Sequence, residues 1–355
     1  MSSSEPLVAV ELRDAPIFHV HPSLRCNLSC EHCYSASSPR ERDRLGVPEL
    51  VAAIEDAAEI GFKVLSVSGG EPFLFAGLEA LLETARHCGM KTQVVTNGWF
   101  LTTKRFLAVA GLIDGIAVSL DGLENRHNLM RGSPLAFRKL ETGLAALRDR
   151  SIKFGIVHTV TQDNWDELFD VARFCLEVGA SSLQIHSLEQ SGRADSALRP
   201  SDEIAAKVFI ISSVLKSWHA GRLNVHVDLQ HRSSFALCDG TDPLLAMGIL
   251  VLEADGTLVP MSYGFARTFA LGNLKTAPLA VVWQHFVGSG FPRLLSLRDA
   301  VADSLKASNA PIAFNWFEEM NRASHSVPLI DCIHRAAVGA MFRPDGQTKD
   351  VGVTL

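Results

Sequence analysis

The chain has no unbroken apolar run long enough to cross a bilayer as a helix, no low-complexity tract and no block of like charge. Its start, Met-Ser-Ser-Ser-Glu, lacks the charged opening and apolar core of a signal peptide. No membrane role is therefore expected, and the expected location is cytoplasmic, a reducing compartment that suits free thiols. Basic charge is also scarce. With 33 Lys and Arg against 39 Asp and Glu, the net charge is −6, which argues against nucleic acid as a general partner. What remains is ordinary globular composition, 47% hydrophobic and 20% charged over 355 residues, enough for one large domain or a domain with an appendage.

Cysteine is sparse, at seven residues, yet three of them crowd into Cys26, Cys30 and Cys33. The spacing C-x3-C-x2-C lets a short loop wrap one [4Fe–4S] cube and ligate three of its irons. The fourth iron would be left open to a small molecule, which points to an enzyme rather than an electron carrier. Other readings exist. A disulfide frame leaves one cysteine over. A structural zinc site wants four ligands, with His32 the only nearby fourth, cramped between Cys30 and Cys33. Chance clustering is the third alternative.

From residue 16 to 187, short apolar runs alternate with amphipathic stretches. The runs at 17–20, 64–67, 93–95, 116–120, 154–160 and 183–185 are rich in Val, Ile and Leu, as in parallel strands covered on both faces. Helical spacing recurs in Leu50, Val51, Ile54, Ala57 and Ala58, in Leu78, Leu81, Leu82 and Ala85, and in Phe137, Leu140, Leu144 and Leu147. Such stripes are packing faces. Six strand-and-helix units predict an α/β fold, a partial (β/α)6 barrel of the TIM type, with functional residues after the strands. Residues 188–202 read as a linker. Ser201 or Asp202 caps a helix carrying Ile204, Val208, Ile211 and Leu215. A hairpin is predicted with 249–253 and 257–260 flanking Gly256, and 292–305 as helix. The expected domains are a tail (1–15), the barrel core (16–200), a smaller α+β extension (201–345) and a second tail (346–355).

The second run leads into Ser68-Gly69-Gly70-Glu71-Pro72. Paired glycines let backbone approach a ligand closely, and the Glu71 carboxylate is expected at the strand mouth, ready to accept from an ammonium. Together with the cysteine triad, Val94-Val95-Thr96-Asn97-Gly98 and Val118-Ser119-Leu120-Asp121-Gly122, this resembles the radical S-adenosylmethionine (SAM) superfamily over about residues 16–187. The resemblance implies that Cys26, Cys30 and Cys33 bind one [4Fe–4S] cluster and that SAM chelates the fourth iron. It further implies that Gly69, Gly70 and Glu71, with Pro72 beside them, hold the methionine end. Tyr34 follows the triad as a further cofactor-side candidate. Ser119, Asp121 and Asn97 would lie near ribose or carboxylate, and Ile156 near adenine. An external one-electron donor such as flavodoxin or ferredoxin is the implied partner.

The second half resembles the SPASM or twitch branch through Arg131-Gly132-Ser133-Pro134, 183–186, 192–194, 252–260 and 271–274. That branch carries a cysteine after the hairpin proline, and this chain has Met261. Only Cys238 and Cys332 follow residue 200, so a degenerate extension without auxiliary clusters is expected, the alternative being a cluster completed by His231, His334 or Asp239. Cys88 and Cys175 are expected as core thiols. His158, His186, Glu189 and Arg193 are the candidate catalytic residues at the barrel mouth, with structural roles as the competing reading. His19 and His21 lie on one strand face, as support for the cluster loop or as a metal pair. The implied function is radical maturation of a ribosomally made peptide. Only 15 residues precede the first strand, so a separate leader-recognition protein, or a small substrate, is expected. The alternatives are radical modification of a small metabolite, sugar or tetrapyrrole, and a non-catalytic binding homologue. Few clusters would favour redox-neutral chemistry.

Overall fold

The computed structural model describes residues 15–237, 240–307 and 310–326. Strands β1 (Ile17–Val20), β2 (Val64–Val67), β3 (Lys91–Thr96), β4 (Gly115–Ser119), β5 (Gly155–Val160) and β6 (Ser182–Ser187) pair in parallel in chain order. Helices α1 (Val47–Ile60), α2 (Leu78–His87), α3 (Lys104–Val109), α4 (Glu124–Met130), α5 (Ala136–Asp149) and α6 (Leu168–Val178) fill the crossovers. The six units thus form the expected open α/β partial barrel. The apolar stripes face the sheet: Leu50, Ile54 and Ala57 on α1, and Leu140, Leu144 and Leu147 on α5, are fully buried.

The segment after residue 200 does not stand apart from this sheet. Helix α7 (Asp202–Trp218) starts at Ser201, whose side chain accepts from the Ile204 amide, and leads to β7 (Asn224–Val227), a seventh parallel strand beside β6. The sequence reading had no strand there, because four residues with His226 among them make no clean apolar run. Strand β8 (Leu229–His231) and helix α8 (Pro243–Met247) come next. Then β9 (Ile249–Leu252) crosses to the far edge and pairs in parallel with β1. It forms the expected hairpin with β10 (Thr257–Pro260), where Gly256 takes φ +92°. Strand β11 (Gly272–Asn273), helices α9 (Leu279–His285) and α10 (Phe291–Leu305), strand β12 (Ala313–Asn315) and helix α11 (Trp316–Ser326) complete the described fold. Strand β12 pairs with β8 in a separate two-stranded sheet. Cys238, Asp239, Cys332 and His334, and the predicted tails outside residue 15, lie outside the described residues.

Strand alternation decides what faces inward. Phe18, Leu65, Val94, Val118, Ile156, Leu183 and Leu250 point to the helices and are fully buried or nearly so. Their neighbours His19, Ser66, Gln93, Val95, Ala117, Ser119, Val157, Thr159, Gln184, His186 and Val251 line a central cavity. Leu65, on a strand with partners on both sides, is a sensitive point of this core. Leu65→Ala should destabilise the protein by about 2–5 kcal/mol, read as a lowered urea midpoint with an unchanged slope.

Candidate active site

The loop after β1 carries the cysteine triad, and it is held by backbone. Cys26 N donates to Ser38 O at 3.1 Å, Leu24 N to Asp43 O at 3.0 Å and Leu45 N to Pro22 O at 3.0 Å. The end of β2 grips the same loop: Gly70 N donates to Ser23 O at 2.8 Å and Glu71 N to Arg25 O at 3.0 Å. A Cβ on Gly70 would stand 2.1 Å from Arg25 O, and one on Gly69, at φ +99°, 2.7 Å from Ser23 O. The paired glycines therefore serve contact between two backbones, and the Gly70 and Glu71 amides are already committed to the loop.

Cys26, Cys30 and Cys33 all border one cavity of about 360 Å³. Among the described residues no three His, Cys, Asp or Glu side chains converge on a single-ion site. A cube places its thiolates on separate irons, so a set spread around one cavity suits it better than one ion. Donors already point at the sulfurs: Leu28 N (3.5 Å) and Asn97 Nδ2 (3.7 Å) at Cys26, Arg131 Nη1 (3.8 Å) at Cys30. Burial pushes the Cys26 thiol up to about 12 and raises Cys30, with Arg131 opposing the latter. Bare thiols are thus disfavoured as anions here, and positively charged iron is what would deprotonate them. The donor set fits a [4Fe–4S] cluster.

Glu71 does not reach the cavity. It is 2% exposed and accepts from Thr96 Oγ1 (2.8 Å), Asn97 N (3.0 Å) and Phe73 N (3.3 Å). Its carboxylate ties the end of β2 to the end of β3, and Pro72 is buried beside it. Ile156 and His158 are also turned away, being one residue out of phase on β5; Val157 and Thr159 face the cavity instead. His158 Nδ1 bonds Leu120 O at 2.8 Å, as a structural histidine does. Asp121 is fully buried behind the wall, in an ion pair with Arg131 at 2.5 Å. Arg193 straps the loop, donating to Cys30 O at 3.0 Å and Ser37 O at 2.8 Å.

Tyr34, Gly69, Gly70, Asn97, Ser119, His186 and Glu189 do border the cavity. Tyr34 Oη bonds Ser68 Oγ at 3.1 Å. His186 Nδ1 is 2.6 Å from Asp228 Oδ2, and its Nε2 is 3.7 Å from Glu189 Oε1. Burial raises the Glu189 carboxyl above its usual range. His19 lines the wall and meets Ser66 Oγ at 2.9 Å, while buried His21 packs between Tyr34 and Tyr263. Cys88 corrects one expectation: it is exposed, at the end of α2, whereas Cys175 is buried. Sequence reasoning missed Arg131, Met261 and Tyr263 as cavity residues. The available signal for Met261 was its place where the branch carries cysteine; it takes φ +67°, uncommon for a residue with a side chain.

The radical SAM superfamily model matches residues 20–175, from the end of β1 through the triad and into α6. By this match residues 20–175 carry a radical SAM domain, of a family that uses a [4Fe–4S] cluster and SAM. The chain is 32% identical over 184 residues to an AdoMet-dependent heme synthase of Methanosarcina barkeri, covering 51% of each chain. It is 26% identical over 240 residues to the sporulation killing factor maturation protein SkfB of Bacillus subtilis, covering 66% of this chain and 57% of SkfB. The chain spans about half the length of the curated relatives it matches. In fold it is similar to anSMEcpe solved with AdoMet and the Kp18Cys peptide, with a TM-score of 0.61 and 18% identity, over 91% of this chain and 99% of that one.

Two outcomes follow for the radical SAM domain. Gly70→Ala must move the cluster loop, so iron per chain after anaerobic reconstitution should fall well below wild type. Glu71 is raised by burial from 4.5 to about 7. The folded state therefore keeps its proton to higher pH than the unfolded chain, and this stabilising share is full below pH 4.5 and lost as pH rises through 7. The stability difference between wild type and Glu71→Gln should accordingly slope across that window and flatten outside it, as read from urea midpoints of the apoprotein.

Proposed function

We propose that this protein is a radical SAM enzyme that acts on a peptide. A cluster bound here would supply the electron for reductive cleavage of SAM, the source of a 5′-deoxyadenosyl radical able to take hydrogen from substrate. Cys26, Cys30 and Cys33 would hold the cluster through thiolates. Gly69 and Gly70 would shape the methionine end, while Asn97 and Ser119 offer polar contacts nearby. Val157 and Thr159 replace Ile156 as the β5 residues able to touch the nucleoside. Met261, Ser262 and Tyr263, just after the hairpin, line the same cavity and would help shield this chemistry from water.

The observation that carries the substrate class is the charge of that wall. Among the described residues, Arg131 is the only Arg or Lys lining the cavity, and it is already paired with Asp121. The far side instead presents Glu189 and His186, the latter backed by Asp228. Carboxylates of a tetrapyrrole would find no spare Arg or Lys among the described lining residues and would face the carboxyl of Glu189. Backbone amides and ammonium groups are donors that suit it. The name of SkfB, a maturation protein, supports the peptide reading, while the heme synthase supports the small-molecule alternative.

Under this reading the segment from residue 201 is the extension that completes the cavity. An external one-electron donor such as flavodoxin or ferredoxin supplies the electron in a reducing cytoplasm, and a separate protein presents the leader. A single cluster favours a redox-neutral outcome. No helix among the described residues is long and apolar enough to cross a membrane.

Anaerobic reconstitution should give an iron–sulfur spectrum and dithionite-dependent release of 5′-deoxyadenosine from SAM, reduced to background by Cys26→Ala, Cys30→Ala or Cys33→Ala. A protein that takes up zinc and never cleaves SAM would refute the enzyme. Titration with a propionate-bearing porphyrin should produce no saturable absorbance change; tight stoichiometric binding would turn the assignment to tetrapyrroles.

A further inference from the structure

Behind the cysteine loop lies a dense group of buried charge that the cavity wall alone does not use. Asp121, at the end of β4, is fully buried, and Arg131, just after α4, is 9% exposed. Arg131 Nε donates to Asp121 Oδ2 at 2.5 Å, and Nη1 points at Cys30 Sγ from 3.8 Å. His32 Nε2 stands 3.4 Å from the same Asp121 oxygen, and the Thr159 amide donates to the other at 3.4 Å. Asp121 N in turn donates to His127 Nδ1 at 3.2 Å. Asp121 is thus fixed from several elements, and it fixes the guanidinium against one ligand sulfur.

The other hydrogen-bond partners of these sulfurs are neutral: Leu28 N and Asn97 Nδ2 donate to Cys26, and Ser35 Oγ lies 3.5 Å from Cys33 Sγ. Among the described side chains that bond these sulfurs, only Arg131 carries a full charge. Adding an electron makes a cluster more negative, so a cation donating to a ligand sulfur favours the reduced form, and hydrogen bonds to sulfur are a known lever on cluster potential. A carboxylate beside it acts in the opposite sense. Burial removes the water and salt that would screen either charge.

We propose that the Asp121–Arg131 pair sets the reduction potential of the cluster held by Cys26, Cys30 and Cys33. Arg131 raises the potential through the Cys30 sulfur. Asp121 is a positioning residue that aims the guanidinium and offsets part of its charge. This inference rests on the triad binding a cluster.

The test is a redox titration of the reconstituted holoprotein without SAM, following the reduced cluster by electron paramagnetic resonance. Arg131→Gln should shift the midpoint to more negative potential, Asp121→Asn should shift it to more positive potential, and Arg131→Lys should stay nearer wild type than Arg131→Gln. A merely structural pair gives no reason for opposite signs. If Arg131→Gln fails to hold iron, Asp121→Asn and Arg131→Lys still decide: a positive shift for the former with a smaller shift for the latter supports the proposal. Unchanged midpoints, or shifts of the same sign for Arg131→Gln and Asp121→Asn, overturn it. Failure of wild type to take up a cluster at all would instead refute the cofactor assignment, which keeps the two conclusions separable.

Discussion

The contact on which the site depends is backbone against backbone, where the end of β2 meets the loop after β1. Gly70 and Glu71 amides donate to Ser23 and Arg25 carbonyls, and the two chains lie too close for any Cβ at Gly70. This pins the triad to the mouth of the barrel. From that point, order spreads outward. The Glu71 carboxylate, turned inward, ties β2 to Thr96 and Asn97 at the end of β3, and Asn97 reaches back to Cys26. Arg193 closes the loop from the far side of the sheet through two carbonyls. Polar groups that read as ligand contacts are in good part the scaffold that makes ligation possible.

Charge divides the cavity into two chemistries. Around the triad, Arg131 is the one Arg or Lys among the described residues of the wall, and its partner Asp121 is held well below the usual carboxylate range: burial alone would raise it, but Arg131 and His32 outweigh that. Toward β6, carboxylates and a histidine dominate. His19 and His32, both lining the wall, are pushed down to about 4, chiefly by burial, so neither adds positive charge near neutral pH.

Much of this was legible before any coordinates. The triad, the glycine pair and the six apolar runs survive translation into structure because each is local: ligand spacing, close backbone approach and strand propensity are written in a few adjacent residues. The helix cap at Ser201 and the hairpin at Gly256 were readable for the same reason. Phase along a strand was harder. Ile156 and Val157 differ by one position, yet alternation sends one to the helices and the other to the cavity, and the apolar run alone carries no marker of which face is concave. His158 was misplaced by the same single step.

The sequence by itself determined the cluster loop, the strand-and-helix repeat and the chemistry that three close thiols support. Only the tertiary structure decided that the Glu71 carboxylate bonds the end of β3, that Asp121 pairs with Arg131, and that residues after 200 extend the same sheet at both edges. The physical reason is distance along the chain. Arg131 meets Cys30 across 101 positions, and β9 lies beside β1 although more than two hundred residues separate them. Which buried charges pair, and which carbonyls a glycine must clear, is set when such segments pack, and no local pattern records it.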